Sequence, residues 1–216
     1  MSDGWPMPER LTRAQSKERT FEALLAAAHG VFVERGYQSA TLDAIAAEAG
    51  FTKGAVYAHF RSKEDLLCLL FERALRRDAL RMERLLDQAD DHATVTEQMG
   101  NFIDFVDERD GLPDLGLELQ IEARNNPGVA GKVIAAISEH ERSVARVIER
   151  YFEIAGVAPP IPPDQLAPTI INLVVGFALA KKAYRVDGPG SPPIIRAMLG
   201  LPLDRPRAAV DPFAGL

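Results

Sequence analysis

Apolar side chains recur three and four residues apart along most of this chain, and nowhere do they alternate strictly with polar ones over a useful length. The pattern predicts helices. From residue 16 onward, Phe21, Leu24, Leu25, Ala28 and Phe32 form one apolar stripe, and Gly36 supplies a stop signal. In a second, shorter segment, Thr41 precedes Leu42, Ile45, Ala46 and Ala49; Asp43 sits in the first turn, where negative charge suits the helix dipole, and Gly50 ends the run. Thr52 is placed to cap a third segment over residues 53–60, with Val56 and Phe60 pointing inward. Two short helices joined by a glycine-containing link have the form of a helix-turn-helix. Ser62-Lys63-Glu64-Asp65 reads as a capping box that opens a long helix running toward Leu86. Further helices are expected over 95–108, 113–125, 127–155 and 163–185, three of them starting at a proline. Proline-rich connectors are expected at 156–163 and 188–193.

The fold class expected is therefore all-α: an N-terminal three-helix helix-turn-helix domain, joined by a long helix to a C-terminal helical bundle. Residues 1–15 carry Gly4, Pro6 and Pro8 without periodicity and read as a mobile arm. The first domain is expected over 16–61 and the second over 62–216. At 216 residues, with 47% hydrophobic and 26% charged positions, the chain has ample material for a core.

Charge complicates the picture. The net value of −6 runs against binding to a polyanion, yet residues 1–62 hold seven Lys/Arg and seven Asp/Glu, so the whole excess lies beyond them. Any surface for nucleic acid must be a local patch on the first domain. The single cysteine, Cys68, excludes an intramolecular disulfide, and nothing resembles a signal peptide, so a cytoplasmic location is expected. The uncharged run at 166–180 is interrupted by Pro168 and Asn172 and is shorter than the ~20 residues needed to cross a bilayer. A buried helix is expected there, with no membrane partner.

The third segment has two chemically different faces. Opposite Val56 and Phe60 it offers Lys53, Gly54, Ala55 and Ala58, which are small or basic. A helix entering the major groove must bring its backbone close to the base edges, and these residues present little bulk to prevent it. Lys53 is able to donate to guanine O6 and N7, and the methyl groups of Ala55 and Ala58 to lie against thymine methyls. Tyr57 and His59 flank that face with donors for phosphate oxygens. Thr41, Thr52 and Lys63 stand at helix starts, where backbone N–H groups favour an anion. Each of these residues also has an ordinary role in a small bundle. The threonines and Ser62 serve as caps, Tyr57 as a rim residue, His59 and Lys63 as solvated side chains.

Taken together, the order of these residues resembles the DNA-binding domain of the TetR family of transcriptional regulators. A Thr opens the second helix, an Ile-Ala pair lies within it, and Ala-Gly-Phe makes the turn. Lys-Gly-Ala-Val-Tyr-Ala-His-Phe and Ser-Lys-Glu-Asp-Leu-Leu then follow without a gap, so that the likeness covers roughly residues 16–70. The resemblance implies Lys53, Gly54 and Ala55 near bases, with Thr41, Tyr57, His59 and Lys63 on phosphates. It further implies a repressor that binds a palindromic double-stranded operator as a homodimer and is released by a small-molecule effector. An activator of the same fold shares all of this chemistry.

Beyond residue 70 the residues specify less. The segment between Ile170 and Ala180 is apolar almost all round, which predicts cover by core on one side and a partner subunit on the other. Ile170, Val174, Phe177 and Ala178 are the candidate dimer contacts, and a two-fold dimer would present two reading heads. Phe102, Phe105, Leu119, Ile137, His140 and Val144 are the candidate lining of a ligand pocket, with His140 as its polar member or as an ordinary core-boundary histidine. Arg73, Arg77, Arg81 and Arg84, interspersed with Glu72, Asp78 and Glu83, read as a solvated helix face. An enzyme is disfavoured. The four histidines are scattered, His140-Glu141 lacks a second histidine, and there is neither a glycine-rich phosphate loop nor a nucleophile elbow. No catalytic residue, metal or cofactor is expected. The remaining rival is a helical dimer that binds ligand or protein without reading DNA.

Overall fold

The computed structural model describes residues 12–89, 91–104, 112–184, 188 and 190–203. Among these the secondary structure is entirely helical, in the order α1 Arg13–Arg35, α2 Leu42–Glu48, α3 Lys53–Tyr57, α4 Lys63–Asp87, α5 His92–Asp104, α6 Leu112–Asn125, α7 Pro127–Ala155, α8 Pro163–Tyr184 and α9 Pro192–Met198. The chain divides into two compact units, with the boundary after Leu66, inside α4. Of the expected arm, residues 1–11 lie outside the described set.

In the first unit, the starts of α1, α2 and α4 are each set by a side chain that meets an otherwise unpaired N–H. Thr12 caps α1: its hydroxyl accepts from the Gln15 N–H at 3.2 Å while the Gln15 side chain accepts from the Thr12 N–H at 2.8 Å. That reciprocal pair starts α1 three residues earlier than the apolar stripe suggests. At its other end Gly36, at φ 78°, takes a backbone conformation that a side chain would strain. Thr41 caps α2 by accepting from the Ala44 N–H at 3.1 Å. Thr52 precedes α3 but makes no capping hydrogen bond, contrary to expectation. The third helix is also shorter than the predicted 53–60, because after Tyr57 the chain continues as a turn in which the Phe60 N–H reaches the Val56 carbonyl at 2.9 Å.

The core of this unit is built from Leu24, Leu25, Ala28, Val31 and Phe32 of α1 with Ile45, Ala46, Val56 and Phe60. Phe21 stacks on Phe60 at 5.4 Å between centroids, and Tyr37 meets Phe32 edge-on at 5.4 Å. Ser62 caps the start of α4 by accepting from the Asp65 N–H at 3.2 Å.

In the second unit α7 packs against α5, α6 and α8, and α9 packs on α5. Its interior joins Val95, Met99 and Ile103 of α5 to Val147, Ile148, Tyr151 and Phe152 of α7, Leu166 and Ala167 of α8, and Ile195 of α9. Helix α5 begins before the predicted Val95 because Asp91 accepts from the Thr94 N–H at 2.8 Å. These hydrogen bonds from Thr94 hold the exposed Asp91 carboxyl below its usual range. The segment with Pro192 and Pro193 turns out to be the start of a helix, since proline is tolerated in a first turn where the N–H has no intrahelical partner anyway. Asp78, expected on a solvated face, is buried instead. The stretch Pro163–Lys181 does reach the length and hydropathy of a minimal membrane span, at 19 residues and mean hydropathy 1.2. Only 17% of that stretch is buried, so in place of the buried helix expected there α8 is a helix that packs on α7 and α6 and leaves much apolar surface exposed.

One buried ion pair ties α9 to α5. Arg196 donates through Nε and Nη2 to the two carboxylate oxygens of Asp104 at 2.9 and 2.8 Å, and through Nη1 to the Pro202 carbonyl at 2.7 Å. Both side chains are less than a tenth exposed. Gly100 makes room for the guanidinium, as a Cβ there would lie 2.9 Å from Nη2. We predict that Arg196→Ala, by leaving Asp104 buried without its cation, lowers unfolding free energy by about 3–5 kcal/mol. In urea denaturation, the Asp104→Leu/Arg196→Met double variant should recover most of that loss. A double variant as unstable as the single one would show that packing, not the stranded charge, carries the effect.

Candidate functional site

The outward side of α3 is lean. Lys53, Gly54 and Ala58 are exposed, Tyr57 is 58% exposed, Ala55 is half-buried, and Val56 is fully buried on the opposite side. A Cβ added at Gly54 would meet nothing closer than the Thr52 hydroxyl at 3.9 Å. Packing within the unit therefore does not require glycine there, although glycine weakens a helix by about 0.5–1 kcal/mol relative to alanine. The absence of bulk leaves the backbone open to an outside surface.

Two cations of this region, Lys53 and Lys63, are held from within. Lys53 pairs with Asp43 of α2, and that carboxylate, first by hydrogen bonding and then by charge, raises the lysine above its ordinary range. Asp43 Oδ1 is shielded and has no hydrogen-bond partner among the described residues. Lys63 donates to the Tyr37 carbonyl at 2.9 Å and the Gln38 carbonyl at 3.4 Å, with its ammonium 4.2 Å from the Tyr37 ring centroid. Beside it the Tyr37 hydroxyl donates to Glu64 Oε1 at 3.3 Å. His59 lies half-buried against Phe21, 5.7 Å between centroids. Thr41 keeps its hydroxyl proton available while its oxygen caps α2, and Thr52 is exposed. The structure thus brings Thr41, Thr52, Lys53, Gly54, Ala55, Tyr57, Ala58, His59 and Lys63 into one small unit. Lys53 and Lys63 have defined intramolecular partners that sequence alone did not suggest. Arg61, exposed between α3 and α4, is a cation that the sequence reading passed over. Its position directly after the buried Phe60 was the available signal.

Among the described residues of the second unit, two neighbouring hollows involve the predicted pocket residues. A cleft of about 600 Å³ is lined partly by Leu119 and His140, with Glu72, Arg76, Lys132 and Arg146 among the charged members of its wall. A pocket of about 330 Å³ is lined by Ile137, His140 and Val144 together with Phe71, Leu75 and Glu141. Phe102 faces neither. It borders a void of about 10 Å³ between Met99 and Val147, too small for a ligand. Phe105 lies outside the described residues. Phe71 escaped the sequence reading because, on the apolar run of α4, it is indistinguishable from core.

On α8, Ile170 and Val174 line the 330 Å³ pocket, and Val174 is 9% exposed, so these two dimer candidates point inward. Phe177 and Ala178 are half-buried. The outward stripe consists of Thr169, Asn172, Gly176, Leu179 and Ala183, spaced three and four apart. An almost wholly apolar helix gives no rotational reference from sequence alone.

Residues 24–68 match the family model described as bacterial regulatory proteins, tetR family. The HTH-type transcriptional repressor BepR of Brucella suis biovar 1 is 48% identical over 65 residues, which is 30% of this chain and 31% of that protein. The chain thus aligns with only about a third of the length of this curated relative. Among solved structures, the fatty acid degradation regulator FadR from Bacillus halodurans superposes with a TM-score of 0.64 at 20% identity, covering 83% of this chain and 97% of its own. FadR from Bacillus subtilis in complex with stearoyl-CoA gives 0.63 at 16% identity, covering 83% and 96%. At such identities the likeness is one of fold.

Replacing Asp43 by Asn should release Lys53 and remove a negative charge from beside α3. We expect tighter binding to any duplex by about 0.5–1 kcal/mol at low salt, fading as salt is raised. Fluorescence anisotropy with a random duplex across a salt series checks this, and unchanged or weakened binding would contradict it.

Proposed function

We propose that the chain, whose residues 24–68 match the tetR family model, is a TetR-type repressor that binds a palindromic operator as a homodimer and is released by a small molecule. Residues 16–61 are the DNA-reading domain in this proposal, and residues 62–216 the domain that dimerises and senses the effector. The observation that carries the reading is the orientation of α3. Val56 and Phe60 are buried, and the small and basic residues are left facing outward.

Lys53 is assigned to guanine edges and Ala55 and Ala58 to thymine methyls. To reach a base, Lys53 must exchange Asp43 for the guanine acceptors, so Asp43 tunes how tightly the head binds. Thr41, Thr52, Tyr57, His59 and Lys63 are assigned to phosphates, with Lys63 also bracing the loop at Tyr37. Dimerisation is assigned to the outward stripe of α8. Gly176 and Ala183 allow close helix approach there, and Phe177 and Ala178 lie at its margin. The protein would work in the cytoplasm, and no catalytic role is assigned to it.

Release by ligand follows from differential binding. An effector held among α4, α6, α7 and α8 must favour the arrangement of the two heads that does not fit the operator, since equal affinity for both arrangements shifts nothing.

Two variants separate the assigned roles. Lys53→Ala should cost about 1–3 kcal/mol of discrimination at one base pair of each half-site while leaving random-duplex binding less affected. Lys63→Ala should weaken every sequence alike and lower the slope of log affinity against log salt by about one. Anisotropy titrations on a promoter fragment and its point variants measure both. Loss of affinity without loss of discrimination in Lys53→Ala would remove the lysine from the base-reading set.

A further inference from the structure

The wall of the 330 Å³ pocket is chemically lopsided. Phe71, Leu75, Val144, Ile170 and Val174 make it apolar, and Glu141 is the only carboxylate among its described lining residues. No Lys or Arg stands among its described lining residues. His140 is the remaining ionisable group on the wall, and it also faces the neighbouring cleft. Glu141 is half-buried and forms no ion pair among the described residues, whereas Glu139, two positions earlier, is met by Arg142 at 2.7 Å and by Arg146 at 3.7 Å. Arg142 and Arg146 are thus turned to the other acid, and Arg150 pairs with Glu153. A carboxylate left at the edge of an apolar hollow, without a protein cation, gains most from a partner that brings positive charge and apolar surface together.

We propose that this pocket binds a hydrophobic organic cation, with Glu141 as its counter-charge and the Phe71 ring as an aromatic wall on which the cation rests. The inference rests on the regulator reading above and specifies its effector by chemistry. The volume, about 330 Å³, lies at the lower end of the range for small-molecule sites, roughly 300–1,000 Å³. This size suits a compact aromatic or branched cation. An anion of the same shape meets Glu141 head-on and is excluded by like charge.

Tetraphenylphosphonium and tetraphenylborate are near-identical in shape and opposite in charge, which makes them direct probes. Isothermal titration of the full chain should show tetraphenylphosphonium binding at least about tenfold more tightly than tetraphenylborate. Glu141→Gln keeps the shape of the side chain and should weaken the phosphonium by about tenfold or more while leaving the borate equal or improved. Circular dichroism melts of the variant check that it is folded. Equal binding of both ions, preference for the borate, binding of neither, or an unaffected Glu141→Gln each overturns the cation assignment. Anisotropy on promoter DNA, run alongside without either ion, reports on the regulator reading separately. A protein that binds its promoter but ignores the phosphonium keeps the regulator and loses the cation. One that binds the phosphonium through Glu141 but no DNA keeps the pocket and loses the regulator.

Discussion

A five-residue helix has no stability of its own in water, since it spans little more than the turn whose nucleation is unfavourable. What holds α3 in place is the burial of two side chains. Val56 is wholly enclosed, and Phe60, just past the helix, stacks on Phe21 of α1. Those two contacts fix the rotation of the segment about its axis, and with it the direction in which Lys53, Gly54, Ala55 and Ala58 point. Everything assigned to DNA reading depends on that rotation. Turned by half a circle, the same residues would be core, and poor core at that.

The sequence was most legible where short-range chemistry decides. Thr41 before Leu42, Gly50 after α2 and Ser62 before α4 are local signals, and the structure uses each of them as a cap or stop. The start of α1 was misplaced because its signal, the Thr12 and Gln15 pair, is polar and precedes the apolar stripe. Helix α9 was missed for the opposite reason: Pro192 and Pro193 read as a breaker when they are in fact a first turn. The ion pairs could not be foreseen at all. Lys53 finds Asp43 ten positions away and Arg196 finds Asp104 ninety-two positions away, partnerships that only the packing of helices creates. The rotation of α8 was equally hidden, since a helix apolar on every side carries no moment to orient it.

The two units also differ in how function constrains them. In the first, shape and charge at the surface are supplied by residues that the fold does not otherwise need, such as the glycine at position 54. In the second, the hollows lie between helices whose other faces build the core, so in the proposed regulator the same elements would bear both stability and sensing. Phe71 illustrates the overlap, because its ring lines the pocket while also lying within 3.0 Å of where a Cβ at Gly116 would stand. A ligand that displaces such a ring must move the helices behind it, and packed interiors pass displacement on because they are dense. In the proposed regulator, that would be the physical route by which occupancy of a pocket becomes a change in helix arrangement.

DNA reading by this protein requires that the lean side of α3 meet a duplex. The most direct measurement is the alkylation rate of a thiol placed there, using Ala58→Cys in a Cys68→Ser background, with the protein's own promoter fragment or a random duplex of equal length. The account predicts strong protection of Cys at position 58 by the promoter and little by random DNA at moderate salt. Equal alkylation with and without promoter, under conditions where the fragment is bound, would place the contact elsewhere and contradict it.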